Sequence, residues 1–230
     1  MHIPYTTECG RSLALLVSRN ALARRISIRI HPSPDTLSLT LPRRISLERG
    51  LEFVQSREVW ILSHLPKGEK ILLEHGQIIP VLGKEYRIEA HQGRGITTLE
   101  EGKLNVYGSA EFTTRRMKDF LTARLLEYCS ARATQMAQET GKKIQGIRIT
   151  HAVSRWGSCS SKGIVSFHFL LVFAPPEILD YLIAHEVAHL THMNHSPKFW
   201  ELVRHLCPSM EVARKWLKQN GNALHRYSVS

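Results

Sequence analysis

PEILDYLIAHEVAHL, residues 176–190, leaves this chain the fewest options. At 100° per residue, Ile178, Leu179, Leu182, Ile183, Val187 and Leu190 cover most of a helix's circumference, which predicts a helix enclosed by protein. Pro175 and Pro176 open it, since proline suits the first turn. The same segment carries His185, Glu186 and His189. Buried ionisable groups need partners, and a metal ion satisfies two imidazoles and a carboxylate together. A fold built on this helix must therefore accommodate a polar site inside its core.

His185 and His189 project from one face, about 6 Å apart along the axis, and can converge on a single ion, with Glu186 beside them. In this HExxH pattern the imidazoles hold zinc and the glutamate is general base toward water at the ion. Two histidines compete for the third ligand position. His192 shares the stripe but lies about 10.5 Å along the axis from His185, too far for both rings to meet at a straight helix. His195 follows Met193-Asn194, and asparagine tolerates the left-handed conformation that ends helices, so the chain is expected to turn back there. Ser196-Pro197 then reads as the N-cap and first position of a helix, KFWELVRHLC. His195 is the expected third ligand, and His192 a helix-end histidine favoured by the dipole.

The remaining chain predicts an α+β protein. Its 230 residues, 43% of them apolar, suit one large domain or two small ones. RRISIRIHPSPDTLSLTLP (24–42) alternates about a Pro-Ser-Pro-Asp turn and reads as a hairpin. A helix capped by Ser46 follows, with Leu47, Leu51, Val54, Trp60 and Leu62 at helical spacing. ILLEHGQIIPVLGKEYRIEA and ITTLEEGKLNVYG complete a β-rich region over 1–110 with one helix. An amphipathic helix is expected from Phe112 to Gly141, burying Met117, Leu121, Leu125, Tyr128, Cys129, Ala133 and Met136. The catalytic region is expected over 111–230, unless one continuous domain spans 24–220. Strand IQGIRITHAV, loop RWGSCSSKG and strand IVSFHFLLVF lead into the histidine helix.

Charge narrows the partners only partly. Thirty-one Lys and Arg against 20 Asp and Glu give a net +11, a field that attracts polyanions such as nucleic acid or nucleotides. The basic residues are dispersed and lack the aromatic interleaving that stacks bases, so a solvated basic surface is expected. Cys9, Cys129, Cys159 and Cys207 form no CxxC pair and read as free thiols. No run approaches the roughly 18 apolar residues of a membrane span, and MHIPYTTECGRS lacks the order of a secretory signal. A soluble, cytoplasmic protein is expected, with no membrane partner.

RWGSC (155–159), DYLIAHEVAHL (180–190), NHSPKFW (194–200) and WL (216–217), with the Trp-Ile-Leu helix and LGKEYRI strand of the first half, resemble the YgjP-like metal-dependent hydrolases, relatives of the SprT and WLM zinc peptidases. The resemblance spans residues 24–220. It implies a zincin-like metallopeptidase half, zinc on His185, His189 and His195, and Glu186 as catalytic base. The histidine spacing also fits the metzincins, but His192 stands where their glycine would be and no convincing Met-turn follows. An asparagine is common in the YgjP-like family near the position of His168. In a zincin-like arrangement the strand before the helix borders the cleft, so Arg155, Trp156 and Ser158 would contact substrate or steady an oxyanion. Equally, Trp156 packs, Arg155 pairs with a carboxylate, and Gly157 and Gly163 turn the chain. Cys159 reads as a structural or free thiol rather than an inhibitory ligand. Asp180 and Glu177 sit in the first turns of the helix and look non-catalytic. Glu201 and backbone carbonyls are the candidates for orienting the imidazoles.

Three functions fit. The leading one is a zinc-dependent metallopeptidase with one ion per chain, other divalent metals also suiting the donors. The second is a metal-dependent phosphohydrolase acting on nucleotides. The third is a nucleic-acid-associated protein with structural zinc, disfavoured because structural sites are usually closed by a fourth Cys or His, for which only His192 is near. A peptide cleft needs an edge strand, and IVSFHFLLVF is nearest in sequence to the helix. A nucleotide site needs fixed positive charge, and only Arg155, Lys162 and Lys198 lie close in sequence. A peptide or protein substrate is the expectation.

Overall fold

A computed structural model of the chain describes residues 1–31, 35–65, 70–151 and 155–228. The chain forms two compact units, Met1–Lys70 and Ile71–Ser230. This division differs from the expected boundary near residue 110. The reason is the core: Ile79, Val81, Ile88, Leu104 and Val106 are buried in the same cluster as Met117, Leu121, Phe167 and Ile183.

The first unit is built on β1 (His2–Thr6), β2 (Ser12–Asn20), β3 (Ser27–Ile30) and β4 (Thr36–Pro42), with α1 (Leu47–Ser56) and α2 (Glu58–His64). The sheet order is β1-β2-β4-β3, with β2 and β4 parallel. Along β4, Leu37, Leu39 and Leu41 are fully buried, as period-two alternation requires. The expected hairpin is the β3–β4 pair; the Pro-Ser-Pro of its turn lies outside the described residues. Ser46 caps α1, its hydroxyl accepting from the Arg49 N–H at 3.2 Å. The helix expected to continue through Leu62 breaks at Arg57, and the segment buries Val54 and Ile61 while Trp60 is 43% exposed. Buried Glu58 accepts from the Tyr5 hydroxyl (2.8 Å) and the Glu8 N–H (2.7 Å). Burial, with that bond, pushes the Tyr5 phenol up to about 12.

The second unit begins with β5 (Ile71–Leu72), β6 (Ile78–Val81), β7 (Lys84–His91), β8 (Thr98–Glu100) and β9 (Lys103–Tyr107). Strands β6, β7, β9 and β8 form one sheet in that order. Positive φ at Leu82 and Gly83 makes the two-residue turn between β6 and β7 of the type that matches strand twist. Helix α3 (Ala110–Glu139) buries Met117, Leu121, Leu125, Cys129, Ala133 and Met136, as its periodicity predicted, whereas Tyr128, expected with them, is only half-buried because its hydroxyl reaches Asp180. Gly141, at φ 65°, ends it in the left-handed conformation a helix C-terminus favours.

Then follow β10 (Gly146–Thr150), β11 (Gly157–Cys159), β12 (Ile164–His168), a 3-10 turn (Phe169–Phe173), α4 (Pro176–Ala188), α5 (Pro197–Leu206), α6 (Met210–Leu224) and β13 (Tyr227–Ser228). Residues 152 and 153 of the expected strand IQGIRITHAV lie outside the described residues. IVSFHFLLVF is extended only to His168, because the His168 ring nitrogen accepts from the Leu170 N–H (3.1 Å) and starts the 3-10 turn. Strand β12 lies between β10 and β11, parallel to the first and antiparallel to the second, so it is not the edge strand expected. That place belongs to β11.

Candidate metal centre

Helix α4 is enclosed, as its sequence demands: Ile178, Leu179, Ile183, Ala184, Val187 and Ala188 are at most 1% exposed. Its last turn presents His185 and Glu186, and His189 is the C-cap. The helix ends there, five residues before the Asn194 at which it was expected to turn. Asn194 does not adopt the left-handed conformation; the return is made without it, through 189–195 into α5. Ser196 and Pro197 occupy the N-cap and first position as expected, although the serine hydroxyl makes no capping bond.

This path brings three imidazoles together. Donor atoms of His185, His189 and His195 lie within 4.8 Å of one another, and Nε2 of His185 and His195 are 3.2 Å apart. Nitrogens sharing a tetrahedral zinc at about 2.05 Å each stand about 3.4 Å apart, so this donor set fits such an ion. His189 Nδ1 lies 3.0 Å from the His192 carbonyl. Donating a proton there leaves its Nε2 lone pair for a metal, which is how supporting groups orient histidine ligands. That supporting group is a backbone carbonyl rather than Glu201, which is exposed. The His192 imidazole and Cys159 lie outside the cluster. His185 Nδ1 is buried without a hydrogen-bond partner. Burial, then His189 and His195, then Arg214, push the His185 imidazole down to about 4, into the neutral form that binds metal.

Aromatic rings brace the trio. Fully buried Phe199 sits 4.9, 4.5 and 4.8 Å from the rings of His185, His189 and His195, and Trp200 stacks on His195 at 5.6 Å. The Arg214 guanidinium lies 4.8 Å over the Trp200 ring. Tyr181, one helical turn before His185, meets its ring edge-on at 6.1 Å. Asp180 accepts from Arg132 at 2.9 and 3.0 Å and from the Tyr128 hydroxyl at 2.9 Å, tying α4 to α3. Glu177 is exposed.

Glu186 is 5% exposed, and burial pushes its carboxyl up to about 7, opposed by the charge of Arg155. A carboxyl there is poised to exchange a proton near neutral pH. The backbone of Gly157 lies directly against it: a Cβ at 157 would stand 2.5 Å from Glu186 Oε1. Strand β11 therefore passes alongside the site. The Trp156 carbonyl accepts from the His168 N–H (2.8 Å) and the Ser160 N–H donates to Ile164 (2.9 Å). By antiparallel alternation, Gly157 and Cys159 turn their N–H and C=O to the other edge, where no strand pairs among the described residues.

Of the residues singled out in RWGSC, Arg155 is near enough to act on Glu186 electrostatically. Trp156 packs on His168, His225 and Gly221, and Ser158 pairs with Ser166. The sequence reading passed over Gly157 except as a turn, and gave no role to Tyr181, Phe199 or Arg214. NHSPKFW was the available signal for Phe199 and Trp200.

Three imidazoles on a helix and the loop that follows it, with a buried carboxylate packed against the backbone of strand β11, define the site of a metal-dependent hydrolase. The family model of the YgjP-like metallopeptidase domain matches residues 24–220, and the chain belongs to that family. Comparison with curated proteins finds no match. No helix among the described residues is long and apolar enough to cross a membrane.

Proposed function

We propose that the chain is a zinc-dependent metallopeptidase in which His185, His189 and His195 hold the ion and Glu186 is the general base. The observation that carries this reading is the open-edged strand β11, whose Gly157 backbone lies directly against Glu186, the neighbour of His185 on α4. Extended peptides bind such edges through main-chain hydrogen bonds, and the N–H and C=O of Gly157 and Cys159 are directed there. Zinc supplies acidification of water to a pKa of about 7 and polarisation of a carbonyl. Glu186 takes the proton at its carboxylate and returns it to the departing amine; its enclosure keeps bulk water from competing. Arg155 favours the ionised form of Glu186 and so limits how far burial raises it. Three donors rather than four leave a position for reactants, which speaks against a purely structural zinc.

Zinc-loaded protein should cleave peptides from an unbiased library, and Glu186→Gln should keep stoichiometric zinc while losing cleavage. A metal-dependent phosphohydrolase is the second reading, supported by the charge of Arg155 beside Glu186. Glu186-dependent release of phosphate from nucleoside triphosphates, with no peptide cleaved, would put it first.

A further inference from the structure

Two cavities lie at the ends of β11, and the second includes the metal-centre residue His189 in its wall. The first, about 560 Å³, is lined by Trp156, immediately before the strand, and by Tyr181, Glu211, Arg214, Lys215 and Lys218. The second, about 450 Å³, is lined by Ser160, immediately after the strand, and by His189, Lys142, Lys143 and Lys162 among others. Together their walls hold six Lys and Arg and one carboxylate, Glu211. The whole chain has 31 against 20, so the excess is local to these cavities and not a sample of the general surface. Glu211 lies 3.4 Å from Arg214, and the five lysines form no ion pair among the described residues.

We infer that the substrate is an acidic polypeptide segment, extended along β11, with Asp or Glu side chains on both sides of the scissile bond entering these two cavities. The inference rests on the peptidase reading and adds the substrate class. From Trp156 to Ser160 an extended chain runs about 13 Å, so acidic residues about four apart reach both cavities while the bond between them faces Glu186. Single-stranded nucleic acid would bring the same charge, but its binding sites combine a basic groove with open aromatic faces on which bases stack. Trp200 already stacks on His195 and carries Arg214 over its ring, and Trp156 is packed against His168 and His225. What lies between the cavities is a strand edge, which suits a peptide backbone.

The test uses zinc-loaded Glu186→Gln protein titrated with fluorescent ten-residue peptides that are acidic at both ends, at one end, or at neither. An oligonucleotide and a nucleoside triphosphate are titrated in parallel. The doubly acidic peptide should bind about 100-fold more tightly than the neutral one, about tenfold from each end. Lys142→Glu with Lys143→Glu should abolish the contribution of one end, and Lys215→Glu with Lys218→Glu that of the other. These lysines are exposed, so unchanged melting curves are expected to accompany the loss; if a double variant does not fold, the single Lys→Gln changes read the same contribution. Equal binding of neutral and acidic peptides, or tighter binding of the oligonucleotide or nucleotide, would overturn the inference. Wild-type cleavage of library peptides without acidic preference would also overturn it while leaving the peptidase reading standing. Failure to cleave any peptide would remove both.

Discussion

Gly157→Ala probes the centre without touching a metal donor. A Cβ at this position would lie 2.5 Å from Oε1, 2.8 Å from Cγ and 2.9 Å from Cδ of Glu186, where unbonded carbons rest about 3.5–4.0 Å apart. The backbone of Gly157 is not in the left-handed region, so alanine brings no conformational penalty, and pairing with Phe167 holds the strand in place. Glu186, 5% exposed, must yield by about 1 Å. A displacement of that size from reactive geometry costs about 100-fold in rate, or about 2.7 kcal/mol of transition-state stabilisation. We expect kcat/KM for peptide hydrolysis to fall by about that factor, with one zinc still bound and the melting temperature little changed. The assay pairs steady-state kinetics with elemental analysis and thermal melting. Activity within about threefold of wild type would show that the carboxylate moves aside at no cost, refuting its assigned position; loss of zinc together with activity would show that the methyl acts on the donors instead.

Two further expectations separate side chains from backbone and charge from burial. His195→Ala should weaken zinc binding by at least about 100-fold in chelator competition, whereas His192→Ala should stay within about threefold, because only its carbonyl meets His189; the reverse order would move the third ligand. His168, pushed down to about 4 by burial and by His225 and His151, refuses a proton that an unfolded histidine takes up near 6.5. Stability should therefore fall as pH drops from about 6.5 to about 4, by up to about 3 kcal/mol from this residue, with no contribution above that window. In metal-free protein, His168→Asn should reduce the difference between urea midpoints at about pH 7.5 and about pH 5; the same difference in both proteins would place the acid sensitivity elsewhere.

The residues of α4 were legible because two demands coincide in them: an apolar circumference fixes burial, and a buried HExxH leaves its polar groups few partners. His195 was legible by elimination, since a straight helix cannot bring His192 to the ion. The path to it was not. The helix stops at Ala188 without a left-handed residue to announce the end, and the carbonyl that orients His189 becomes available only because of that early stop. The order of β10, β12 and β11 depends on pairing between distant segments, so periodicity within IVSFHFLLVF could not show that it runs through the middle. Gly157 gives no signal in sequence because its contribution is the absence of a side chain. Arg214, Lys215 and Lys218 lie more than twenty positions from the motif and reach its neighbourhood through the packing of α6 on α4. Strands β1 and β2 carry weaker signals in the sequence: HIPYT is short and holds a proline, and the LALLV run of β2 does not alternate between apolar and polar residues.

The bonds that Asp180 receives from Arg132 and Tyr128 fix the angular setting of α4. Nine residues separate Asp180 from His189, a rotation of about 180° beyond two full turns, so the two side chains leave the helix on opposite sides. A side-chain atom about 6 Å from the axis moves about 1 Å for each 10° that a helix rolls, and enzymes lose rate steeply over such distances. Apolar packing around most of the circumference resists translation of α4 but distinguishes poorly between neighbouring angles of roll, since hydrophobic contact is not directional. A guanidinium held by both carboxylate oxygens does distinguish them. The ion pair at the back of the helix thus aligns His185, Glu186 and His189 without approaching any of them.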